Sequence, residues 1–536
     1  MYWADLLAEE IKEKYKAQIK AGKPLVIRDE KTASGRVHVG SLRGVAIHGI
    51  ISEILKEEGI NNKFLYEIND FDPMDSIPVY LDREKFLPHM GKPLCNIFSP
   101  DGKAKNYAEY FAEEFIGVIN EIGFEPEFYR NSELYKSGKY NEAIKIVLEN
   151  TGKIREIYKT VSGSIKPEDW LPLQVVCENC GKIGTTKVVS FDGEKVEYIC
   201  EPELVEWTTG CGHKGKISPF NGNAKLPWKV EWAAKFFILN VDIEGAGKDH
   251  STKGGSRDIA DAICREIFKR EPPFNIPYEF FHVAGKKMSA SKGEGSSSRE
   301  IADLFPPEIL RLLLLGKHYK QVIDFVPDGD TVPILFDRFD ELAENYFKNI
   351  QNGYKRLFEL IFSPEKRKKI KEKFLPRFSQ IAFLVQMPHM DLVKEVEKMK
   401  AAPLTEEDRA EIDLRIKYAK RWLNLYAPED YKYELQEEKI PEPAKKINQK
   451  QREALKDLLE YVKSQEFLDG QTLHTKIHEI KERLKIEPRE FFSAIYLSFL
   501  GKESGPKAGW FLSILDKKFL EKRLAEVIEE SGGSTR

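Results

Sequence analysis

Apolar residues near the N-terminus change from a short continuous run to helical spacing. The run Leu25 to Arg28 predicts a buried strand, and a polar loop follows it. Beyond the loop, every fourth position from Leu42 to Ile54 is apolar, and this spacing stops before Gly59. The pattern therefore predicts a strand, a loop and an amphipathic helix.

The same order of elements then repeats. Lys63 to Ile68 reads as a second strand, Tyr107 to Ile122 as a helix that stops at Gly123, and Glu125 to Tyr129 as a third strand. Strands that alternate with helices pack as a parallel sheet with helices on both faces. The prediction is an α/β fold with a Rossmann-type, doubly wound parallel sheet.

The alternation is interrupted at Cys177 and resumes near Trp228. After the interruption we expect a buried strand at Phe237 to Ile243, a helix at Arg257 to Phe268 and a strand at Tyr278 to Val283. An insertion therefore splits the predicted sheet.

The last third of the chain has a different character. Only 7 of the 36 glycines lie beyond residue 335, and apolar residues recur there at helical spacing in long charged segments. This composition predicts an all-α region. The predicted segments are a first half of the sheet domain at 1–170, an insertion at 171–225, the second half at 226–300, a connecting segment at 301–345 and a helical domain at 346–536.

Charge and hydropathy exclude a membrane-spanning chain and give no overall sign of a nucleic-acid partner. The 84 basic and 87 acidic residues leave a net charge of −3. Basic clusters with nearby aromatics, such as RIKYAKR at 415–421 followed by Trp422, recur in the C-terminal third. The longest apolar runs fall far short of the roughly 18 residues of a membrane helix. We expect a cytoplasmic protein that binds no DNA.

Four of the six cysteines lie close together in the insertion. The order Cys177-x-x-Cys180, Cys200 and Cys211-Gly-His213 offers five candidate ligands for a tetrahedral Zn²⁺. A two-knuckle zinc ribbon would use the four cysteines, and His213 could replace Cys200. No ligand position is open, so the expected metal is structural. A second site at Cys95, near His89 and Asp101, is not favoured.

Two loops carry candidate chemistry. The loop TASGRVHVGS, Thr32 to Ser41, passes directly into a helix, whose free N–H groups can bind phosphate. His38 can donate to phosphate oxygens, and Gly40 allows a base to approach the backbone. The loop KKMSASKGEG, Lys286 to Gly295, combines lysines with flanking glycines and is suited to close on phosphates.

These loops resemble the two signature motifs of class I aminoacyl-tRNA synthetases. TASGRVHVGS resembles the HIGH motif, and Lys287-Met288-Ser289-Ala290-Ser291 resembles KMSKS, with Ala290 in place of the second lysine. Lys292 or Lys286 could supply the missing charge. The resemblance implies that His38, Lys287 and Lys292 are catalytic and that ATP binds with Mg²⁺.

A third stretch, GAGKDHSTKGG at 245–255, resembles the ribose-binding segment of the same class. There Asp249 would accept from ribose hydroxyls. The residues that the resemblance implies in ATP binding are Thr32, Ser34, Gly40, Ser41, Asp249, His250, Gly254, Gly255, Met288, Ser289 and Ser291.

Along nearly its whole length the chain resembles the archaeal-type class I lysyl-tRNA synthetases. A lysine ε-ammonium needs a carboxylate partner when it is buried. Asp70 and Asp72, in the acidic loop NDFDPMD after the second strand, are the candidates. Trp232 and His250 resemble residues that line the amino-acid pocket in that family.

The resemblance implies an enzyme that activates L-lysine with ATP and transfers it to the 2′-hydroxyl of the terminal adenosine of tRNA(Lys). The insertion would then lie near the tRNA acceptor end. The helical domain would read the anticodon by stacking unpaired bases, with Trp422, Tyr418 and the stretch GKESGPKAGWF as candidates. The expected oligomeric state is a monomer.

Three alternatives remain open from the sequence. A glutamyl-type enzyme would need a basic residue facing the substrate carboxylate, and Arg28 or Arg36 could serve. A nucleotidyltransferase would share the ATP motifs without using tRNA. A non-catalytic zinc-containing RNA-binding protein would have no need of His38 and Lys287.

Overall fold

The chain forms two compact units. The computed structural model describes residues 2–284, 296–350, 353–387 and 391–530. Unit 1 comprises Met1–Val326 and Glu341–Ile370, and unit 2 comprises Pro327–Asp340 and Lys371–Arg536. The boundaries of the five segments expected from the sequence stay predictions.

All strands lie in unit 1. The strands are β1 (Leu25–Thr32), β2 (Asn62–Asn69), β3 (Glu127–Arg130), β4 (Gln174–Val175), β5 (Thr186–Phe191), β6 (Val196–Cys200), β7 (Lys214–Ile217), β8 (Ala224–Lys225), β9 (Ala246–Gly247), β10 (Pro277–Tyr278), β11 (Phe281–Val283) and β12 (Ile323–Phe325) among the described residues.

Helices occur along the whole described chain. They are α1 (Trp3–Lys14), α2 (Lys16–Lys20), α3 (Leu42–Glu57), α4 (Arg83–Phe86), α5 (Tyr107–Glu121), α6 (Asn131–Lys136), α7 (Asn141–Glu149), α8 (Thr151–Ser162), α9 (Trp228–Ile238), α10 (Ser256–Glu266), α11 (Ser298–Ala302), α12 (Pro307–Leu315), α13 (Thr331–Phe347), α14 (Gly353–Leu360), α15 (Pro364–Arg367), α16 (Phe378–Leu384), α17 (Leu392–Lys400), α18 (Glu406–Leu425), α19 (Gln449–Ser464), α20 (Gly470–Leu484), α21 (Pro488–Leu500), α22 (Ala508–Ile514) and α23 (Lys517–Glu529).

The predicted parallel sheet is confirmed. Strands β1, β2 and β3 are parallel neighbours in that order, with Leu25 opposite Asn62 and Thr32 opposite Asn69. On the other side of β1, Ile27 bridges Ile243 in parallel. Helix α3, which follows β1, is apolar nearly all round and is buried along most of its length. The carboxyl end of β1 and the start of α3 therefore lie at one edge of the sheet, where ligands bind in such folds.

The strand predicted at Phe237 to Ile243 is wrong. Helix α9 continues to Ile238, and of the predicted strand only Ile243 makes β-type bridges. Val230, Ala233 and Ala234 are buried on α9, so the first two residues of the predicted strand belong to a helix that is buried on more than one face. Periodicity alone does not separate such a helix from a buried strand.

The insertion contains a small antiparallel sheet. Strands β5, β6 and β7 are antiparallel neighbours, and β4 pairs with β8. The β5–β6 hairpin is the one expected between Cys180 and Cys200, and its last residue, Cys200, lies opposite Thr186.

The described part of unit 2 contains helices and no strands, as predicted for the C-terminal third. Trp422 of α18 is fully buried, and its Nε1 donates to the carbonyl of Pro327 at 3.2 Å. Arg415, in the basic cluster of the same helix, is also fully buried and pairs with Glu411 and Asp340. Trp422 and Arg415 are therefore packing residues. Over the described residues, no helix has the length and apolarity to cross a membrane.

Candidate active site

A cleft with a volume of about 320 Å³ opens at the carboxyl end of β1. It is lined by Asp29, Glu30, Lys31, Thr32, His38, Gly40, Ser41, Arg43, Trp228, Trp232, Glu244, Gly245, Ala246, Gly247, Asp249, His250, Tyr278, Glu279, Phe280 and Phe281. These residues come from the end of β1 and the loop after it, from the start of α3, from α9, and from the segments around β9, β10 and β11.

The HIGH-like loop is hydrogen-bonded to the segment that follows the KMSAS stretch. The N–H of Val39 donates to the carbonyl of Ser296, and the N–H of Ser298 donates to that of Val37. His38 and Ser297 form an antiparallel bridge. Residues 285–295, which include Lys287, Met288, Ser289, Ser291 and Lys292, lie outside the described residues. Nevertheless, the described residues after this stretch are attached to the loop that carries His38.

Gly40 lies directly beside the imidazole of His38. A Cβ atom at Gly40 would be 2.9 Å from Nδ1 of His38 and 3.6 Å from the carbonyl oxygen of Phe281. A larger residue at position 40 would therefore displace the imidazole, whereas its contact with strand β11 would be an ordinary one. Glycine at this position keeps His38 at the cleft surface.

The cleft brings together most of the described residues expected to bind ATP. Thr32, Gly40, Ser41, Asp249 and His250 line it, whereas Ser34, Gly254 and Gly255 do not. The carbonyl of Ser34 instead accepts from the hydroxyl of Tyr107 at 2.9 Å.

The two glycines outside the cleft lining form the start of α10. Gly254 has a φ of +73°, in the left-handed region, and its N–H donates to Asp258. A Cβ at Gly255, the N-cap residue, would lie 2.6 Å from the carbonyl oxygen of Thr252. Both glycines therefore shape the turn that leads from His250 into the helix.

Three aromatic rings form one wall of the cleft. Trp228 and Trp232 stack at 5.9 Å, and His250 stands edge-on to both, at 5.5 and 6.0 Å. Trp232 is 4% exposed, and its Nε1 donates to Glu244 at 2.5 Å. The sequence therefore identified Trp232 and His250 as neighbours but missed Trp228.

Two carboxylates of the lining, Asp29 and Glu279, each have an oxygen that accepts no hydrogen bond from a described residue, and that of Glu279 is paired with Lys248. Asp29 is 7% exposed; Oδ1 accepts from the N–H of Glu30, while Oδ2 accepts no hydrogen bond from any described residue. The other carboxylates of the lining include Glu30, Glu244 and Glu279, and each of these has a cationic partner. Asp29 is therefore the exception among them.

The histidine next to Asp29 does not neutralise it. Nδ1 of His48 is 3.5 Å from Oδ2 of Asp29. The N–H of Gly245 donates to Nε2 of this ring at 2.8 Å, which places the ring proton on Nδ1, where the carbonyl of Gly44 accepts at 2.8 Å. Burial lowers the pKa of His48 and the carboxylate of Asp29 raises it, with a net rise. The backbone N–H of Gly245 can only donate, however, so Nε2 is an acceptor and the ring in this structure is the neutral form, which leaves the charge of Asp29 unmatched.

The hydroxyl of Tyr278 lies near the unpaired oxygen of Asp29. A Cβ at Gly44 would lie 2.6 Å from Oδ2 of Asp29 and 2.8 Å from the hydroxyl of Tyr278, so the two oxygens face the same small space. Burial raises the pKa of Tyr278 far above its usual value, and its hydroxyl remains protonated. A carboxylate and a phenol hydroxyl thus meet at the cleft wall.

The two acids predicted to bind the substrate ammonium lie outside the cleft lining. The oxygens of Asp70 accept from the N–H and the hydroxyl of Ser132, at 2.8 and 2.6 Å. Asp72 accepts from Thr32 and is paired with Lys225 at 3.1 Å. Their role in amino-acid binding stays a prediction, and the cleft itself presents Asp29.

A buried network of charges, which the sequence did not indicate, supports the floor of the cleft. It consists of Arg28, Lys225 and Lys235 with Glu30, Glu67, Glu231 and Glu244. Nη1 of Arg28 donates to both carboxylate oxygens of Glu244, each at 2.8 Å. Since Glu244 also accepts from Trp232, the network fixes the aromatic wall. The one signal in the sequence was charge on β1 and α9, at positions where a buried element should be apolar.

Mutual pairing keeps Glu231 and Lys235 of this network ionised. Burial alone would raise the pKa of Glu231, but Lys225 and Lys235 lower it to about 2. Burial alone would lower the pKa of Lys235, whereas the carboxylates around it, led by Glu231, raise it well above its usual value. Removing one member would leave an uncompensated buried charge.

We therefore expect Glu231→Gln to destabilise unit 1 by about 3–5 kcal/mol. The folded-state pKa of Glu231 lies below its usual 4.5, so its contribution is complete above pH 4.5 and is lost as the pH falls through about 2. Urea unfolding followed by circular dichroism between pH 7 and pH 3 measures both effects. Glu271→Gln, at a carboxylate that is 87% exposed, is the control. Equal stability of the two variants at pH 7 would contradict the assignment.

The four cysteines of the insertion form a cluster. Their sulfur atoms all lie within 4.8 Å of one another. Cys177 and Cys211 are 3.6 Å apart, and Cys180 and Cys200 are 3.7 Å apart. Four sulfurs at about 2.3 Å from a tetrahedral Zn²⁺ are about 3.8 Å from each other, so the donor set fits this ion. The cluster contains Cys200 and not His213.

Comparison with known proteins identifies the chain at the level of its class. The family model "tRNA synthetases class I (K)" matches residues 1–363, and the model "Anticodon binding domain" matches residues 391–528. The first match covers the whole cleft and the four-cysteine cluster. The chain belongs to the class I tRNA synthetases, in the family designated K.

Relatives with a stated activity match over the full length. The chain is 35% identical to a lysine–tRNA ligase of Methanosarcina barkeri, with 98% of this chain and 97% of the relative covered. It is 33% identical to one of Methanocaldococcus jannaschii, over 98% and 99%. It is 31% identical to one of Thermoplasma acidophilum, over 99% of each chain.

Proposed function

We propose that the protein is a lysine–tRNA ligase. It activates L-lysine with ATP to lysyl-adenylate and transfers the lysyl group to the 2′-hydroxyl of the terminal adenosine of tRNA(Lys). Full-length similarity to lysine–tRNA ligases supports the reaction. The observation that carries the choice of amino acid is the buried carboxylate of Asp29, which has an oxygen without a partner at the cleft surface.

A cationic substrate accounts for this carboxylate. An ionised carboxylate that is removed from water is stabilised by a cation and a hydrogen bond. The ε-ammonium of lysine supplies the cation, and the hydroxyl of Tyr278 is close enough to take part. The rings of Trp228, Trp232 and His250 offer an apolar wall for the methylene groups of the lysine side chain.

The surroundings of the two candidate arginines disfavour a glutamyl-type enzyme. Arg28 is fully buried and is surrounded by Glu30, Glu67 and Glu244, so its charge is already matched. Arg36 is half-exposed, lies outside the cleft lining and is 3.6 Å from Glu300. Neither of the two arginines considered for a substrate carboxylate is therefore available in the cleft.

The activation step requires positioning and charge stabilisation more than covalent chemistry. The lysine carboxylate attacks the α-phosphorus of ATP, the bond from that phosphorus to the bridging oxygen breaks, and pyrophosphate leaves with Mg²⁺. The imidazole of His38, at the cleft surface, donates to the phosphoryl oxygens as charge builds up there. Lys287 and Lys292 are proposed to neutralise the pyrophosphate.

ATP–pyrophosphate exchange with each of the twenty amino acids tests the proposal. Exchange with lysine and no other amino acid is the expected result. Exchange with glutamate would favour the glutamyl-type reading. Exchange with no amino acid, both without RNA and with added tRNA(Lys) transcript, under conditions in which a known synthetase is active, would refute the proposed function.

The four-cysteine cluster is proposed to hold one structural Zn²⁺, in a zinc-ribbon insertion near the acceptor end of the tRNA. All four sulfurs are used as ligands, so the ion takes no part in the chemistry. The anticodon is proposed to bind to the helical region at residues 391–528. We also propose a cytoplasmic monomer that binds no DNA.

We expect the purified protein to contain one zinc per chain and Cys180→Ser to contain much less. Substitution with Co²⁺ should give a thiolate-to-metal charge-transfer absorption that is lost in this variant, because the band requires coordinated sulfur. Cys264→Ser, at a buried cysteine of α10 outside the cluster, is the matched control. Equal zinc contents in Cys180→Ser and the wild type would contradict the ligand set.

A further inference from the structure

A row of five aromatic rings lies beneath the HIGH-like loop. The aromatic row consists of Tyr80, Phe111, Tyr107, Phe86 and Phe98, with successive centroids 6.3, 5.0, 5.6 and 5.0 Å apart. The three inner rings are buried, at 3, 0 and 2% exposure, whereas Tyr80 is 42% and Phe98 is 39% exposed. The row is therefore a rigid packed unit whose two ends reach the solvent.

Each exposed end of the row carries a cation. The Nζ of Lys85 is 4.8 Å from the ring centroid of Phe98, and the guanidinium carbon of Arg36 is 5.4 Å from that of Tyr80. Phe98 stacks on buried Phe86 at an angle of 25°, and His89 is edge-on to it at 5.0 Å. Phe98 is therefore held in a fixed orientation while part of its surface stays open.

The row is bonded to the loop that carries His38. The hydroxyl of Tyr107, in the middle of the row, donates to the carbonyl of Ser34 at 2.9 Å. At one end, the hydroxyl of Tyr80 accepts from the N–H of Arg36 at 2.7 Å. Phe98 contacts Phe86, and Phe86 in turn contacts Tyr107. The exposed aromatic ends therefore flank the nucleotide-binding loop.

We propose that the exposed ends of the aromatic row are stacking platforms for the unpaired 3′-terminal nucleotides of tRNA. Flat rings with adjacent cations are the chemistry that binds single-stranded nucleic acid, because bases stack on the rings and phosphates pair with the cations. The terminal adenosine must reach the cleft, and the row is hydrogen-bonded to the loop whose His38 lines that cleft. This inference rests on the proposed function, since it names the surface that receives the tRNA substrate.

The central test compares two RNAs, a transcript of tRNA(Lys) and the same transcript without its unpaired 3′-terminal nucleotides. Phe98→Ala is expected to weaken binding of the full-length transcript by about 5-fold to 100-fold, the effect of losing one stacked base. Its affinity for the truncated transcript should equal that of the wild type. Fluorescence anisotropy at fixed salt gives both dissociation constants.

Two further variants keep the test independent of folding defects. Phe98→Tyr retains a ring and is expected to bind the full-length transcript with the affinity of the wild type. Lys85→Ala, at an exposed residue, should weaken binding of the full-length transcript but not of the truncated one. Ile165→Ala, at a residue that is 79% exposed and outside the row, is the control for exposed apolar residues.

Three outcomes would overturn the inference. Phe98→Ala could lose the same affinity for both transcripts, it could lose affinity for neither, or the wild type could form a concentration-dependent dimer that Phe98→Ala abolishes. Failure of the wild type in lysine-dependent ATP–pyrophosphate exchange would instead refute the proposed function. Exchange is measured with a saturating concentration of the full-length transcript, so weakened RNA binding alone does not abolish it and the two failures are distinguishable.

Discussion

Replacement of Asp29 by Asn is expected to lower kcat/KM for lysine in ATP–pyrophosphate exchange by about 30-fold to several thousand-fold. This range corresponds to the about 2–5 kcal/mol lost when one partner of a buried, hydrogen-bonded charge pair is removed. Asn has nearly the shape of Asp but cannot neutralise an ammonium. Since Asp29 is 7% exposed and His48 beside it is neutral, little else compensates for the lost charge.

Lysine and norleucine together reveal which ammonium Asp29 binds. Norleucine lacks the ε-ammonium, so its weak exchange should be nearly the same in the wild type and in Asp29→Asn, and the preference for lysine should shrink. An equal loss for both substrates would contradict the assignment, because it would place Asp29 against the α-ammonium that they share. Glu279→Gln is the matched control, since Glu279 also lines the cleft but is paired with Lys248. Its effect should be several-fold at most.

The second large effect is expected at His38. His38→Ala should lower kcat for adenylate formation by about 10²-fold to 10³-fold, the loss found when one preorganised donor to a developing oxyanion is removed. The KM for lysine should change little, because His38 is proposed to act on the phosphoryl oxygens. Single-turnover formation of lysyl-adenylate separates this step from product release.

Two variants sharpen the result for His38. His38→Asn places an amide donor nearby and should retain part of the activity. His282→Ala removes an imidazole from β11 that does not line the cleft, so its rate should stay close to that of the wild type. A rate for His38→Ala within threefold of the wild type would disprove the proposed role, whatever the effect on lysine binding.

Local signals in the sequence predicted much of the fold. The strand at Leu25 to Arg28 and the helix from Leu42 are present as β1 and α3, because apolar periodicity reports directly which face of an element is buried. The four cysteines also come together as their spacing implied. In contrast, the stretch Phe237 to Ile243 is too short and too mixed for its spacing to separate a strand from the end of a helix, and the secondary structure there was predicted wrongly.

The substrate carboxylate shows the limit of local signals. Asp70 and Asp72 follow a strand and are acidic, which made them candidates, but Asp70 is hydrogen-bonded by Ser132. Asp29 stands in the charged run Arg28 to Lys31, where nothing in the sequence separates it from its neighbours. Only the packing of β1 against α9 and α3 assigns Arg28 and Glu30 to the buried network and leaves an oxygen of Asp29 without a partner.

By itself the sequence determined the order of the first three strands and of the helices between them, the two ATP-type motifs, the four cysteines and the resemblance to a family, because each of these depends on residues close together along the chain. The tertiary structure alone decided which charges neutralise one another and which carboxylate remains available in the cleft. Those properties depend on burial and on partners such as Glu244, which pairs with Arg28 although it is far from it in the sequence. An electrostatic environment is a sum over neighbours in space, and only folding defines those neighbours.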